Sequence, residues 1–346
     1  MMIIGCDFHP SWQQVSWVDT ETGETGEQKL VHALGEAKRF YQQLAGPALI
    51  GMEATGNSQW FIELVQDLGH EIWIGDAAQI RASYVRKQKT DKRDAAHILK
   101  LVVEGRFPRL WTPDREQRDL RQLVLHRHKL VMIRSRVKNE LQHLALNKGM
   151  QRKRTLWSQA GQKLLRELPV KPWASCRRED LLGLLAMLDQ QIGKLDGAVQ
   201  QSAEENPAAK LLMTQPGVGP NTALAFVLTI GEASRFARGK QVASYLGLIP
   251  REESSGGRQK LGAITKQGNR LARALLVEAA QIAVRYDPGF RKQYLHRCHQ
   301  KPKGVAKVAA ARKLAVRLYW MLRTQVAYPE IVRIESSPRV ALVGAS

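Results

Sequence analysis

The first hundred residues alternate short apolar runs with polar turns. Residues 3–8 read as a buried strand that ends around Asp7, and residues 15–18 as a second strand. The turn-rich Glu21-Thr22-Gly23-Glu24-Thr25-Gly26 follows, and residues 28–31 close an antiparallel meander. From there helices and strands alternate. Residues 35–44 are amphipathic and helical, residues 48–52 form a short apolar strand that delivers Glu53 at its end, and residues 57–68 are helical. Residues 71–74 make another strand and residues 76–83 another helix. A last helix starts near Thr90.

The predicted order is β-β-β-α-β-α-β-α, which is that of an RNase H-like α/β fold. Beyond Trp111-Thr112-Pro113 the pattern becomes wholly helical. Residues 114–149 contain one proline-free helical pattern in which Leu123, Leu130, Val137 and Leu144 recur every seven residues. Leu120 and Leu141 adjoin that seam, and Arg127 and Arg134 interrupt it. A helical hairpin or a coiled coil both fit, with residues 179–204 as the natural partner. Residues 213–220 contain a Gly-x-Gly turn that enters an apolar helix at 221–230, like half of a helix-hairpin-helix. Further helices are expected at 236–245, 270–283 and 305–322. After Ala327 periodicity fades, and a frayed end is expected. The expected division is an α/β domain at 1–110, a helical spacer and assembly region at 111–205, a mainly helical domain at 206–326 and a tail at 327–346.

Charge narrows the class of partner. The 346 residues carry 53 Lys plus Arg against 32 Asp plus Glu, a formal charge of +21 spread over the chain. With 44% hydrophobic residues this is a folded polycation, and the usual partner of one is nucleic acid. A ribosome or a membrane surface would be the competing partner. The three cysteines, Cys6, Cys176 and Cys298, imply no disulfide framework, and His296-Arg297-Cys298-His299 reads as a polar helix face rather than a zinc site. No leader and no spanning run is evident, so a cytoplasmic protein, at the nucleoid when bound to DNA, is expected.

The candidate chemistry centres on Lys89-Thr90-Asp91-Lys92-Arg93-Asp94-Ala95. Two carboxylates three apart on one helix face, near Arg81, Arg86, Lys87 and Lys89, could hold a divalent ion against a phosphate backbone. The plainer reading is a helix capped by Thr90 with acids in its first turn. The predicted topology favours the first, because Asp7 and Glu53 also fall at strand ends, where α/β sites assemble. His9 reads as a strand-end side chain, with a polar contact to the metal as the sharper option. Gly217 and Gly219 could offer turn amides to DNA phosphates. Ser254-Ser255-Gly256-Gly257 has the composition of a linker. Flanked by Arg251, Arg258 and Lys260, it could also carry a nucleophilic serine. Lys266 lies in a basic loop that enters the helix at Arg270, a possible phosphate clamp.

Taken together, Gly5-Cys6-Asp7, Met52-Glu53-Ala54-Thr55-Gly56 and the Lys89–Ala95 motif resemble the three acidic motifs of the IS-one-ten family of insertion-sequence transposases. Pro216-Gly217-Val218-Gly219, Gly247-Leu248-Ile249-Pro250-Arg251, Ser255-Gly256 and Thr265-Lys266-Gln267-Gly268-Asn269 extend the resemblance to about Tyr319. The resemblance implies a RuvC-like DEDD domain, a coiled-coil region and a C-terminal transposase domain. It implies Asp7, Glu53, Asp91 and Asp94 as ligands of Mg²⁺, or of Mn²⁺ in its place, and Ser255 as the nucleophile, with its neighbour Ser254 as the alternative. It further implies donor and target DNA, a non-coding bridge RNA, and a homo-oligomer that is a dimer or, in the synaptic complex, a tetramer. Two other readings stand beside it. One is a metal-dependent, junction-resolving nuclease that uses water, in which Ser255 is a linker residue. The other is a non-catalytic nucleic-acid scaffold.

Overall fold

The computed structural model describes residues 1–84, 90–151, 155–253 and 260–336, with side chains through 333. The chain packs as two units, Met1–Thr112 and Pro113–Ser346.

The first unit is a five-stranded sheet with helices on both faces. Its elements are β1 (Met2–Phe8), β2 (Trp12–Asp19), β3 (Thr25–Val31), α1 (Glu36–Gln42), β4 (Ala48–Glu53), α2 (Gln59–Asp67), β5 (Glu71–Gly75), α3 (Ala77–Ala82) and α4 (Asp91–Val103). The strand order is β3-β2-β1-β4-β5. The β1–β2 and β2–β3 pairs are antiparallel, and β1–β4 and β4–β5 are parallel. Side chains alternate across a strand, so β1 sends Ile4, Cys6 and Phe8 to one face and Ile3, Gly5 and Asp7 to the other. The first set joins Ile50, Met52, Tyr41, Phe61 and Val65 in one core. Ile3 joins Ile98, Leu101, Val102 and Phe107 of the opposite core, beneath α4. Burial on both faces explains why β1 and β4 read as continuous apolar runs.

Gly5 governs how closely α4 approaches. A Cβ there would fall on the backbone of Ala95 and Leu99. Only a residue without a side chain lets the helix lie on β1 at that distance. The strands of the meander are longer than their apolar pattern, and the reason is polar burial. Gln13, Gln14 and Ser16 of β2 are buried, and Gln13 donates to the Tyr41 hydroxyl at 3.2 Å. Those buried polar residues hid half the strand from a hydrophobicity reading.

The second unit comprises α5 (Arg115–Leu146), α6 (Gln159–Arg166), α7 (Pro172–Glu205), α8 (Pro207–Met213), α9 (Pro220–Ile230), α10 (Gly239–Tyr245), β6 (Pro250–Glu252), β7 (Leu261–Ile264), α11 (Arg270–Tyr286), α12 (Pro288–Gln300), α13 (Lys303–Thr324) and α14 (Glu330–Ser336). Helices α5 and α7 pack along each other as a hairpin. The two arginines that interrupt the heptad seam are cross-hairpin ion pairs, Arg127 to Asp196 at 2.7 Å and Arg134 to Asp189 at 3.1 Å. They close the hairpin within the chain.

The remaining helices surround one large core that holds Leu224, Phe226, Leu276, Leu314 and Leu318. Gly217, in the turn between α8 and α9, has φ +88° and is pressed onto α11. A Cβ there would meet Ala279 O at 2.5 Å and Ala283 N at 2.8 Å. Arg317 of α13 reaches Asp287 at 2.6 Å, both side chains almost fully buried.

One feature was not anticipated and one expectation is revised. The residues that flank Ser254-Ser255-Gly256-Gly257 form two short antiparallel strands, β6 and β7, while the linker reading of that segment lies outside the described residues. The end of the chain is not frayed throughout, because Ile331 of α14 is buried in the core. One apolar anchor on a short helix carries too little periodicity to read in advance.

Candidate metal centre

Strand register brings the first two acids together. The parallel β1–β4 pairing runs to Cys6 opposite Met52, so the next residues, Asp7 and Glu53, leave adjacent strand ends. By alternation both project from the face that α4 covers. Thr90 caps α4 by accepting the Arg93 amide at 3.4 Å, and Asp91 and Asp94 occupy its first turn. Carboxylates there also meet the positive end of the helix dipole. The capped helix and the acid cluster, rival readings of the sequence, are thus the same object.

Asp94 is buried at 5% exposure and accepts a 2.7 Å hydrogen bond from the Tyr84 hydroxyl. Burial pushes the Tyr84 phenol up. The hydrogen bond to Asp94 and the charges of Asp94, Asp7 and Glu53 push it further. The Asp7 carboxyl is raised above its usual range, first by burial. His9 opposes that shift, and the charges of Asp94 and Asp91 add to it. A buried carboxylate with other carboxylates near it favours its protonated form, a pattern found at functional and at structural sites alike.

His9 completes the cluster. Its Nε2 lies 3.3 Å from Asp7 Oδ2 and 3.9 Å from Asp91 Oδ1. One ligand atom each from Asp7, His9 and Asp91 falls within 4.8 Å of the others. This donor set suits a divalent ion: hard carboxylate oxygens at spacings an ion can bridge, plus one imidazole. The sequence did place His9 near the acids, but its strand-end position argued for a plain role. Tyr84 carried no advance signal, since nothing local distinguishes it.

The predicted nucleic-acid residues scatter more widely. Arg81 is exposed on α3. Lys92 of the central motif pairs with Glu27. In the second unit Arg251 lies exposed on β6, and Lys260 and Lys266 are exposed around β7, Lys266 with φ +58°. The amides of Leu271 and Ala272 at the start of α11 are already taken by the Asn269 side chain, which limits the expected phosphate clamp. Gly219 is exposed at the start of α9, whereas the inner side of Gly217 is occupied by α11. Arg86, Lys87, Lys89, Arg258 and Ser255 lie outside the described residues. The His296–His299 run forms part of α12, as its polar pattern suggested. Among the described residues no helix is long and apolar enough to cross a membrane.

Comparison with known proteins adds an independent line. A DEDD transposase family model matches residues 4–148, and a model described as the transposase IS116/IS110/IS902 family matches residues 209–295. A probable family 20 transposase of Pseudomonas aeruginosa is 29% identical over 94% of this chain and 98% of its own length. The transposase for insertion sequence element IS1111A of Coxiella burnetii is 26% identical, over 68% of this chain and 65% of the relative. A pilin gene-inverting protein of Moraxella bovis is 28% identical, over 68% of this chain and 67% of the relative.

Proposed function

The chain belongs to the IS110/IS116/IS902 family of insertion-sequence transposases, and on that premise we propose that it cuts and rejoins donor and target DNA through a metal-assisted phosphoserine intermediate. The observation that carries the proposal is that Asp7 leaves a strand end beside Glu53, feels the charges of Asp94 and Asp91, and lies in one close group with His9 and Asp91. A scaffold gains nothing from acids that raise one another's proton affinity.

On this reading residues 1–110 form the RuvC-like catalytic domain, 111–205 the helical spacer, 206–326 the transposase domain and 327–346 the tail. The four acids hold Mg²⁺, or Mn²⁺ in its place. When bound, the metal neutralises non-bridging phosphate oxygens and eases loss of the attacking hydroxyl's proton. The chain's own groups do the rest. Ser255 Oγ attacks phosphorus, an Oγ–P bond forms, and the P–O bond to the leaving strand breaks. The serine proton is lost and the departing oxygen takes one up. One ester replaces another, so rejoining needs no external energy source. Arg251, Arg258, Lys260 and Lys266 stabilise charge building on the phosphate, and Arg81, Arg86, Lys87 and Lys89 position the backbone. Turn amides at Gly219 and Gly217 add contacts without reading sequence. A bridge RNA supplies sequence through pairing, and protomers associate as a dimer, or as a tetramer in the synapse, so that both sites can meet one phosphate.

The test is strand exchange between donor and target DNA, with the element's non-coding RNA present. Asp7→Asn and Asp94→Asn should each lower the rate on the order of 10²-fold or more, while DNA binding in chelator persists. Normal exchange in both variants would support the scaffold reading instead. Full cleavage by Ser255→Ala would favour a nuclease that uses water.

A further inference from the structure

Just past Asp7 the chain turns back on itself, and the His9 amide donates to the Trp12 carbonyl at 2.9 Å. The His9 imidazole then lies on the Trp12 indole, with centroids 4.1 Å apart and planes 23° from parallel. The Lys29 ammonium sits 4.1 Å from the same indole's centroid. Trp12 and Lys29 belong to the paired strands β2 and β3, so the imidazole is braced by the rigid meander. A ring locked by stacking keeps its donor atom aimed.

That donor, Nε2, stands 3.3 Å from Asp7 Oδ2 and 3.9 Å from Asp91 Oδ1. With bonds of about 2.1 Å, two ligands at neighbouring octahedral positions lie about 3 Å apart, and opposite ligands about 4.2 Å apart. Both distances fall in that interval. A simple ion pair requires one carboxylate near the ring. Here the same nitrogen is within hydrogen-bond reach of Asp7 and also faces Asp91, delivered by a separate element, so one cation could bridge all three groups.

Building on the metal site proposed above, we infer that His9 is a direct nitrogen ligand of the ion held by Asp7 and Asp91, and that it biases the site toward a borderline ion of the Mn²⁺ class over Mg²⁺. Mg²⁺ seeks an all-oxygen octahedron, whereas imidazole is a good ligand for first-row transition ions. Glu53 and Asp94 stand outside this trio of ligand atoms. As the site's other two carboxylates they offer oxygens that either ion accepts, so the selectivity rests on His9.

The experiment uses the full chain stripped of metal and titrated with Mn²⁺. Bound ion is counted by electron paramagnetic resonance, nitrogen hyperfine coupling is read by the pulsed form, and Mg²⁺ affinity is obtained by competition. The wild type should show coupling to one nitrogen. His9→Ala should lose that coupling and weaken Mn²⁺ on the order of tenfold to a hundredfold, with a smaller loss for Mg²⁺. Mn²⁺ that binds in an Asp7-dependent way without nitrogen coupling would overturn the inference and leave the metal site standing. Mn²⁺ binding unchanged in Asp7→Asn would overturn the site itself, and the inference with it. The nitrogen coupling is measured on the wild type, so it is informative even if His9→Ala folds poorly.

Discussion

Asp7 carries a charge that its surroundings disfavour. Its carboxyl lies above the usual range because of burial and of Asp94 and Asp91 nearby, only partly offset by His9. The unfolded chain therefore releases that proton at lower pH than the folded one. As pH rises from the unfolded value through the raised folded value, the folded state loses stability. Asp7→Asn removes this penalty. Thermal unfolding in chelator at neutral pH should show the variant melting above the wild type, with the gap closing as pH falls below the ordinary carboxylate range. Added Mn²⁺ should raise the wild-type midpoint and leave the variant's almost unmoved. Tyr84 is the second residue whose role is legible in these terms. Its hydroxyl fixes one Asp94 oxygen, so Tyr84→Phe should weaken metal binding about tenfold by isothermal titration and cost about 1 kcal/mol of stability.

Among the elements, α4 carries two of the acids, and the glycine under it sets their position. Gly5→Ala puts a methyl into the backbone of Ala95 and Leu99. Chemical denaturation should show a loss of about 1–3 kcal/mol, and metal affinity should fall although no ligand has changed. The buried Arg317–Asp287 pair ties α13 to the start of α12. Arg317→Met would strand the Asp287 carboxylate and destabilise the second unit by about 3–5 kcal/mol, read as a lower denaturant midpoint. Elements such as these explain what the sequence could and could not disclose. Strands β1 and β4 and the Thr90-capped helix were legible because their apolar runs and cap are local signals. The full length of β2 was not, because Gln13 and Gln14 are buried polar residues that pair within the fold. The β6–β7 hairpin carries only exposed or half-buried side chains, so no alternating apolar pattern marked it. Asp7 and Glu53 could be named from strand ends, but their adjacency depends on parallel register, which only the folded sheet specifies. The role of His9 depends on a turn and on Trp12 stacking, and Tyr84 on a contact ten residues away.

For the whole molecule, a net charge of +21 on 346 residues sets the terms of DNA binding. Counterion release should make affinity for random duplex DNA fall on the order of 10³-fold between about 50 and about 200 mM salt. A fluorescence-anisotropy titration at several salt concentrations checks this, and a flat dependence would exclude a broad phosphate contact. The deeper claim is that the chain divides its chemistry, with acids and metal in the α/β unit and the attacking hydroxyl on the β6–β7 connection. The most direct test is to trap the intermediate. The full chain is incubated with the element's donor DNA, its non-coding RNA and Mn²⁺ or Mg²⁺, then denatured, digested and analysed by mass spectrometry. The account predicts a nucleotide joined through phosphate to the peptide containing Ser255, absent from Ser255→Ala and from Asp7→Asn. Metal-dependent strand cleavage by the wild type that leaves no protein–DNA adduct, with Ser255→Ala equally active, would contradict it.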